Sequence, residues 1–369
     1  MAGTVQAALL GCGHPHSAMH LQTLASLVEV SRIHLWDPDP EVARRLAADP
    51  GPTPVVVHAE LNHLLDDPQV AWLLVALRND LAPEVLLRCA AAGKPVLAEK
   101  PLGRSAAEVA PIVQAFRAAG QSLAVCFQNR YKPAARQIRA WLAEDHLGRL
   151  CTAETRLHTT QVRLRDPRHW LFQQQVSGGG ILPWLGCHYL DLLRYLMAAE
   201  VVAVTAQCAT LSGEAIDVED VAVMTLRFDN EVLATATFGY LMPGGQPGYA
   251  FPGYDSYLAL KGTGGQIDWP VAAAEQSLQV RSQAEVWAGA PERRLTFKEE
   301  TARAYGGRAG LEFDRDCLTA ALEGRDGPTT GEDMLAIWRI IEAAYRSERE
   351  GVRVDLTAPA PAGQASGAG

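Results

Sequence analysis

At 369 residues the chain has room for two domains of roughly 150 residues each, so one small module is ruled out. Its 33 basic and 42 acidic residues leave a net charge of −9, which repels nucleic-acid backbones and anionic membranes, and no basic cluster overrides it. With 48% hydrophobic and 20% charged residues it can bury a core and solvate a surface, which excludes wholesale disorder.

No run approaches the roughly 18 apolar residues of a membrane span, and no basic segment precedes the short apolar run at the N-terminus. The seven cysteines are scattered without a C-x-x-C pair, which points to a reducing cytoplasm and to neither a disulfide framework nor a thiolate zinc site.

The first third alternates short apolar runs with amphipathic ones. Strands are expected at 5–10, 32–36, 55–58, 71–77, 95–99 and 123–127, with helices at 16–27, 40–48, 60–65, 83–92 and 105–119 between them. Near-continuous apolar strands joined by helices require burial on both sheet faces and right-handed crossovers, so a doubly wound parallel sheet of the Rossmann type is expected over residues 1–128. Ser105, three residues before Glu108, reads as a helix cap.

The pattern changes after a helix at 134–144. Runs at 150–158, 201–211, 218–228 and 232–238 alternate at strand period, and Asp229-Asn230 reads as a hairpin turn. Two further strands at 256–261 and 265–269 complete an open, mostly antiparallel sheet in an α+β domain over 129–356. Helices at 183–196, 311–322 and 332–346 are expected to cover one of its faces. The segment 239–257, rich in Gly, Pro and Tyr, reads as a loop facing substrate or a second subunit, and 357–369 as a disordered tail.

Gly11-Cys12-Gly13-His14-Pro15-His16 closes the first strand and opens the first helix, where free backbone N–H groups and the helix dipole can hold a pyrophosphate. Asp37 ends the second strand 26 residues after Gly11, where a carboxylate accepts from a ribose 2′-hydroxyl and repels a 2′-phosphate, favouring NAD over NADP. His16 and His20 stand one helical turn apart. With two of the three histidines His14, His16 and His20 inside the phosphate turn and no carboxylate close in sequence, no metal site is assigned to them. Lys100, in Glu99-Lys100-Pro101 at the carboxyl edge of the fifth strand, reads either as a surface lysine beside a turn or as a desolvated amine suited to proton exchange.

Four features in order carry a resemblance: the Gly-x-Gly turn; Glu99-Lys100-Pro101; Asn129-Arg130-Tyr131-Lys132-Pro133 after the sixth strand; and Gly178-Gly179-Gly180 before a helix with His188 and Asp191. Together they resemble the glucose-fructose oxidoreductase and inositol dehydrogenase family (Gfo/Idh/MocA) over roughly residues 5–355. The resemblance implies a Rossmann domain followed by an open sheet that forms homodimers or homotetramers. It also implies hydride transfer between NAD(P) and a sugar, polyol or related hydroxyl compound, a cis Lys100-Pro101 peptide, and Lys100 and His188 as the catalytic pair. Gly11, Gly13, His14, His16, Asp37, Asn79, Glu99, Lys100 and Asn129 then fall on the cofactor side.

One position departs from the family pattern. Trp184 stands one turn before His188, where relatives commonly carry an aspartate. It reads equally as a core tryptophan or as a platform on which a sugar ring stacks. His169 and Trp170, in a loop before Gly178, join Lys100, Trp184 and His188 as substrate-side candidates. An NAD-dependent oxidoreductase is the leading expectation. An NAD-binding sensor that has lost catalysis, or an NAD-using lyase or glycosidase that oxidises only transiently, stands as the alternative.

Overall fold

A computed structural model describes residues 4–48, 51, 53–242, 253–271, 276–298 and 300–356. Strands β1 (Val5–Leu10), β2 (Val30–Trp36), β3 (Val55–Val57), β4 (Val70–Val75), β5 (Val96–Ala98) and β6 (Leu123–Val125) form a six-stranded sheet in the order β3-β2-β1-β4-β5-β6. Every pairing in it is parallel, as strands whose side chains are buried on both faces permit. The intervening helices are α1 (Ser17–Ser26), α2 (Pro40–Ala47), α3 (Leu61–Leu65), α4 (Ala82–Ala91) and α5 (Ala106–Ala118). Ser105 caps α5 by accepting a hydrogen bond from the Glu108 amide at 3.2 Å, as its spacing predicts. Between β1 and β4 the strand order reverses, and ligand crevices open at such a switch point.

Helix α6 (Pro133–Ala143) leads into the second layer. There β7 (Leu150–Thr159) is followed by the short turns α7 (Gln161–Leu164) and α8 (Gln174–Ser177), a π-helical turn at Leu182–Gly186, and α9 (Cys187–Met197). Strands β8 (Val201–Ala209), β9 (Val221–Phe228), β10 (Leu233–Gly239), β11 (Tyr254–Gly262), β12 (Gly265–Trp269), β13 (Gln276–Ser282) and β14 (Glu292–Phe297) come next. They precede α10 (Gly307–Leu322), α11 (Gly331–Glu350) and β15 (Val354–Asp355). The nine strands run β14-β13-β12-β11-β7-β10-β9-β8-β15. Neighbours are antiparallel except β7 and β10.

Three sequence expectations change. Helix α10 does not cover the second sheet: Leu311, Phe313, Cys317 and Leu318 join Leu9, Leu74 and Leu97 in the apolar cluster of the first layer. Helix α11 does face β8, and it packs against α5 as well. Strand β11 begins at Tyr254, inside the segment read as a loop, and residues 243–252 of that segment lie outside the described residues, as does the tail. Strands β13 and β14 were not anticipated, because their Arg- and Gln-rich edges carry a weak period-two signal.

The open face of the second sheet is largely polar. It presents Thr152, Glu154, Thr205, Thr225, Arg227 and Thr235, with Val223 and Leu233 half exposed, around a shallow cavity of about 490 Å³.

Candidate active site

The β1–α1 turn is built on close backbone approach. Gly11 has φ +95°, and a Cβ there would lie 2.1 Å from the Ala76 carbonyl oxygen, so only glycine fits. Asp37, buried at the end of β2, holds the turn: its Oδ2 accepts from the Cys12 and Gly13 amides at 2.6 and 3.1 Å, and its Oδ1 from the Asp39 amide at 2.9 Å. Helix α1 then carries His16 just before its first turn and His20 within it, both fully buried.

Glu99 and Lys100 leave the carboxyl end of β5 together, and the peptide between Lys100 and Pro101 is cis, as the resemblance implied. The two side chains diverge. Glu99 Oε1 accepts from His16 Nδ1 and from His20 Nε2, each at 2.7 Å, while its Oε2 is buried without a partner. Burial works to raise this carboxyl, but the two imidazoles hold it well below the usual range. Burial pushes His16 down to about 4 and His14 well below its ordinary value, so both rings are neutral at neutral pH.

Lys100 is 1% exposed. Its Nζ donates to the Trp184 carbonyl at 2.7 Å and lies 3.6 Å from the centre of the Trp184 ring. Burial lowers its pKa, partly opposed by the charge of Glu99.

Helix α9 and its π-turn supply the opposite wall. A Cβ at Gly180 would lie 1.9 Å from the Glu219 carbonyl oxygen, and the Glu219 carboxylate accepts from the Gly180 and Leu182 amides at 2.7 and 2.9 Å. This acid anchors the start of the turn, which projects Trp184. Its ring stacks on His16 at 5.3 Å and meets Trp170 edge-on at 6.2 Å, with His14 at 5.7 Å. His188 opens α9, buried edge-on against Phe127 with Nδ1 unpartnered, and burial followed by the charge of Lys100 takes it down to about 3.

Asp191, one turn further along, faces away from this group. It pairs bidentately with Arg130 at 2.5 and 2.9 Å, and Arg130 also reaches Asp333 at 3.0 Å.

The structure therefore brings Lys100, Glu99, His14, His16, Trp170, Trp184 and His188 to one crevice. Asn79 lies at its edge with Nδ2 donating to the Ser177 carbonyl at 2.7 Å, and Asn129 is half-buried in the turn after β6. His169 stands behind Trp170, its Nδ1 accepting from the Leu171 amide at 3.3 Å.

Three participants had no sequence signal strong enough to find them. Tyr305 stacks on His16 at 4.5 Å with its hydroxyl 3.4 Å from His16 Nε2, Glu219 anchors the glycine turn, and Asp314 of α10 is buried within electrostatic reach of His20 and Glu99. The His16–His20 spacing was visible. Its carboxylate partner lay 79 residues from His20 in the chain.

The residues present fit a dinucleotide. Asp37 uses three of roughly four acceptor sites on backbone amides and keeps one for a ribose hydroxyl. A Cβ at Gly13 would stand 3.8 Å from Asp37 Oδ2, so the glycine leaves that approach open. Glu99 Oε2, His14 Nε2, Trp184 Nε1 and His188 Nδ1 are buried polar atoms that want partners in the same crevice.

Comparison with known proteins places the chain in context. Residues 5–127 match the model of an oxidoreductase family with an NAD-binding Rossmann fold, and residues 135–268 match the Gfo/Idh/MocA C-terminal domain. An inositol 2-dehydrogenase of Streptomyces avermitilis is 31% identical over 65% of this chain and 69% of its own length. The scyllo-inositol 2-dehydrogenase (NADP(+)) IolW of Bacillus subtilis is 27% identical over 94% of both chains. A levoglucosan dehydrogenase in complex with NADH and L-sorbose has a similar fold, with a TM-score of 0.83 at 22% identity over 96% of this chain and 99% of its own.

Proposed function

Because the chain belongs to the Gfo/Idh/MocA family of NAD-binding oxidoreductases, we propose that it transfers hydride between NAD and a hydroxyl or carbonyl carbon of a sugar, polyol or related compound. The observation that carries this reading is Lys100: a fully buried amine at the carboxyl edge of β5, facing the helix of His188 across the crevice at the switch point. When bound, the nicotinamide supplies the hydride chemistry. The protein's part is proton handling and alignment.

Burial favours the neutral form of Lys100. A neutral amine that gives one N–H to the Trp184 carbonyl keeps its lone pair for the substrate hydroxyl proton. His188, neutral and with Nδ1 unpartnered, binds and orients the same oxygen. Trp184, Trp170 and His14 exclude water from the amine, and Trp170, half-buried, offers the ring edge that a sugar face reaches first.

Asp37 supports NAD over NADP, since a 2′-phosphate would meet its carboxylate at short range and no arginine follows in Asp37-Pro38-Asp39-Pro40. A homodimer or homotetramer would be built through the open face of the second sheet, where Val223 and Leu233 stand half exposed among polar neighbours, and seven free cysteines suit a cytoplasmic setting.

The test is incubation of the purified protein with NAD and a panel of inositols, aldoses and anhydro-sugars. NADH is expected with at least one of them. Binding of NAD without NADH formation on any substrate, in either direction, overturns the reading in favour of a sensor.

A further inference from the structure

Helix α11 runs between the two layers and is bonded to both. Its Glu342 Oε1 accepts from the Ala106 amide at the start of α5 at 2.7 Å, and its Ser347 Oγ accepts from the Ala206 amide of β8 at 3.0 Å. A capping box of Thr330 and Asp333 fixes where the helix begins. A helix of 20 residues is a stiff spacer about 30 Å long, so side chains on its inner face are held at set separations.

Two of those side chains reach the two walls of the crevice. Trp338, 1% exposed, donates from Nε1 to the carbonyl of Pro101, the residue after Lys100, at 2.9 Å. Leu102, next in the chain, holds φ +67°, a left-handed conformation that leucine keeps only where its surroundings enforce it. The turn that carries Lys100 is therefore fixed from outside.

Tyr345 lies seven residues beyond Trp338, two helical turns along the same face. Its hydroxyl donates to Glu219 Oε1 at 2.9 Å, and that carboxylate accepts from the Gly180 and Leu182 amides where the π-turn starts. The fit is close: a Cβ at Gly179 would lie 2.1 Å from the Tyr345 hydroxyl oxygen. Trp184, four residues after Gly180, then meets Lys100 Nζ with its carbonyl at 2.7 Å. The amine and the carbonyl belong to different layers, and α11 holds the backbone beside each.

We propose that Trp338 and Tyr345 are positioning residues, which together set the approach of Lys100 to the Trp184 carbonyl from one helix. They act through Pro101 and Glu219 rather than on substrate. The proposal rests on the reading of Lys100 as the group that takes the substrate proton. Misplacing a reacting group by about 1 Å through a remote change costs up to about 10²-fold in rate. A looser approach also lets water reach the amine, which favours its charged form.

The experiment reads Lys100 itself. The chain holds five lysines, so protein labelled with lysine carrying ¹³C at Cε gives five signals, and that of Lys100 is identified by its loss in Lys100→Ala. Its titration midpoint is compared in the wild type, Trp338→Phe and Tyr345→Phe, each of which deletes one donor and keeps an aromatic ring. Ile341→Val, in the buried face of the same helix, is the control for lost stability. The midpoint is expected to rise by roughly one pH unit or more in each donor variant and to stay in place in Ile341→Val. On the best substrate, kcat should fall about tenfold in the donor variants while KM for NAD holds within about threefold. A midpoint unchanged in both donor variants, or one that merely follows melting temperature across all three variants, overturns the proposal. Rapid solvent exchange of the Trp338 indole N–H in the wild type also overturns it and needs no variant. Absence of NADH formation by the wild type overturns the dehydrogenase reading instead, and the titration then still decides whether the two residues place Lys100.

Discussion

The Lys100 amine lies 3.6 Å from the centre of the Trp184 ring and 2.7 Å from the Trp184 carbonyl oxygen, so one residue screens it with side chain and backbone alike. An aspartate at this position would have met the amine with charge. The indole meets it with a π face that keeps water away.

Substitution separates the two roles. Lys100→Ala is expected to lower kcat by on the order of 10² or more, whereas Trp184→Phe, which keeps an aromatic face under the amine, should leave kcat within roughly tenfold. Trp184→Asp should lower activity further, because a carboxylate against Lys100 holds it protonated. Steady-state kinetics on the best substrate decide, and a large gain in the aspartate variant would mean that the tryptophan marks a weakened catalyst.

Cofactor choice is expected to hang on one carboxylate. Asp37→Ala removes the acceptor for the Cys12 and Gly13 amides as well as the charge that repels a 2′-phosphate. NAD should then bind more weakly, and the ratio of NAD to NADP affinity should fall by at least about tenfold, or roughly 1.4 kcal/mol. Titration of both cofactors by tryptophan fluorescence measures it; an unchanged ratio takes Asp37 out of ribose recognition.

The Arg130–Asp191 pair is structural rather than catalytic. Asp191→Asn leaves a buried guanidinium with only Asp333 and the Pro328 carbonyl as short contacts, and a loss of about 3 kcal/mol in folding stability is expected. The double variant Arg130→Met/Asp191→Leu should lose much less, since it buries no orphaned charge. Urea denaturation compares them, and equal losses in the two would contradict the pairing.

Acid sensitivity should begin in the mildly acidic range. The folded pKa of His188 is about 3, below the unfolded value of roughly 6.5. Above pH 6.5 the ring is neutral in both states, and as pH falls from there toward 3 only the unfolded chain gains the proton, so stability is lost across that window. At pH 5 this single group costs about 2 kcal/mol. Melting temperatures between pH 7 and 5 should fall less steeply in His188→Gln, and parallel slopes would show that His188 is protonated in the fold.

Much of this architecture was legible because it is local. The β1 run VQAALL has one reading as a strand, and Gly11 has one reading once a strand must turn into a helix against Ala76. Lys100 and His188 were found through motif order. What stayed hidden depends on contacts across the chain.

Helix α10 looked like a cover for the sheet it follows, since amphipathicity states that a face is buried but not against what. Tyr305 reaches His16 across 289 residues, and Glu99 completes the histidine pair only after β5 lies beside β4 and α1 has docked. The π-turn at Leu182–Gly186 is also invisible to a 3.6-residue period, yet it sets where Trp184 points.

The return of α10 to the first layer constrains the order in which the protein is made. The seam formed by Leu9, Leu74 and Leu97 is closed by Leu311, Phe313 and Leu318, which leave the ribosome only after all of β7 to β14. Throughout that interval the nascent N-terminal layer carries an uncovered apolar stripe, and chains at this stage are prone to self-association and chaperone capture. The Rossmann unit, the earlier of the two layers in the chain, is therefore among the last parts of the molecule to be finished.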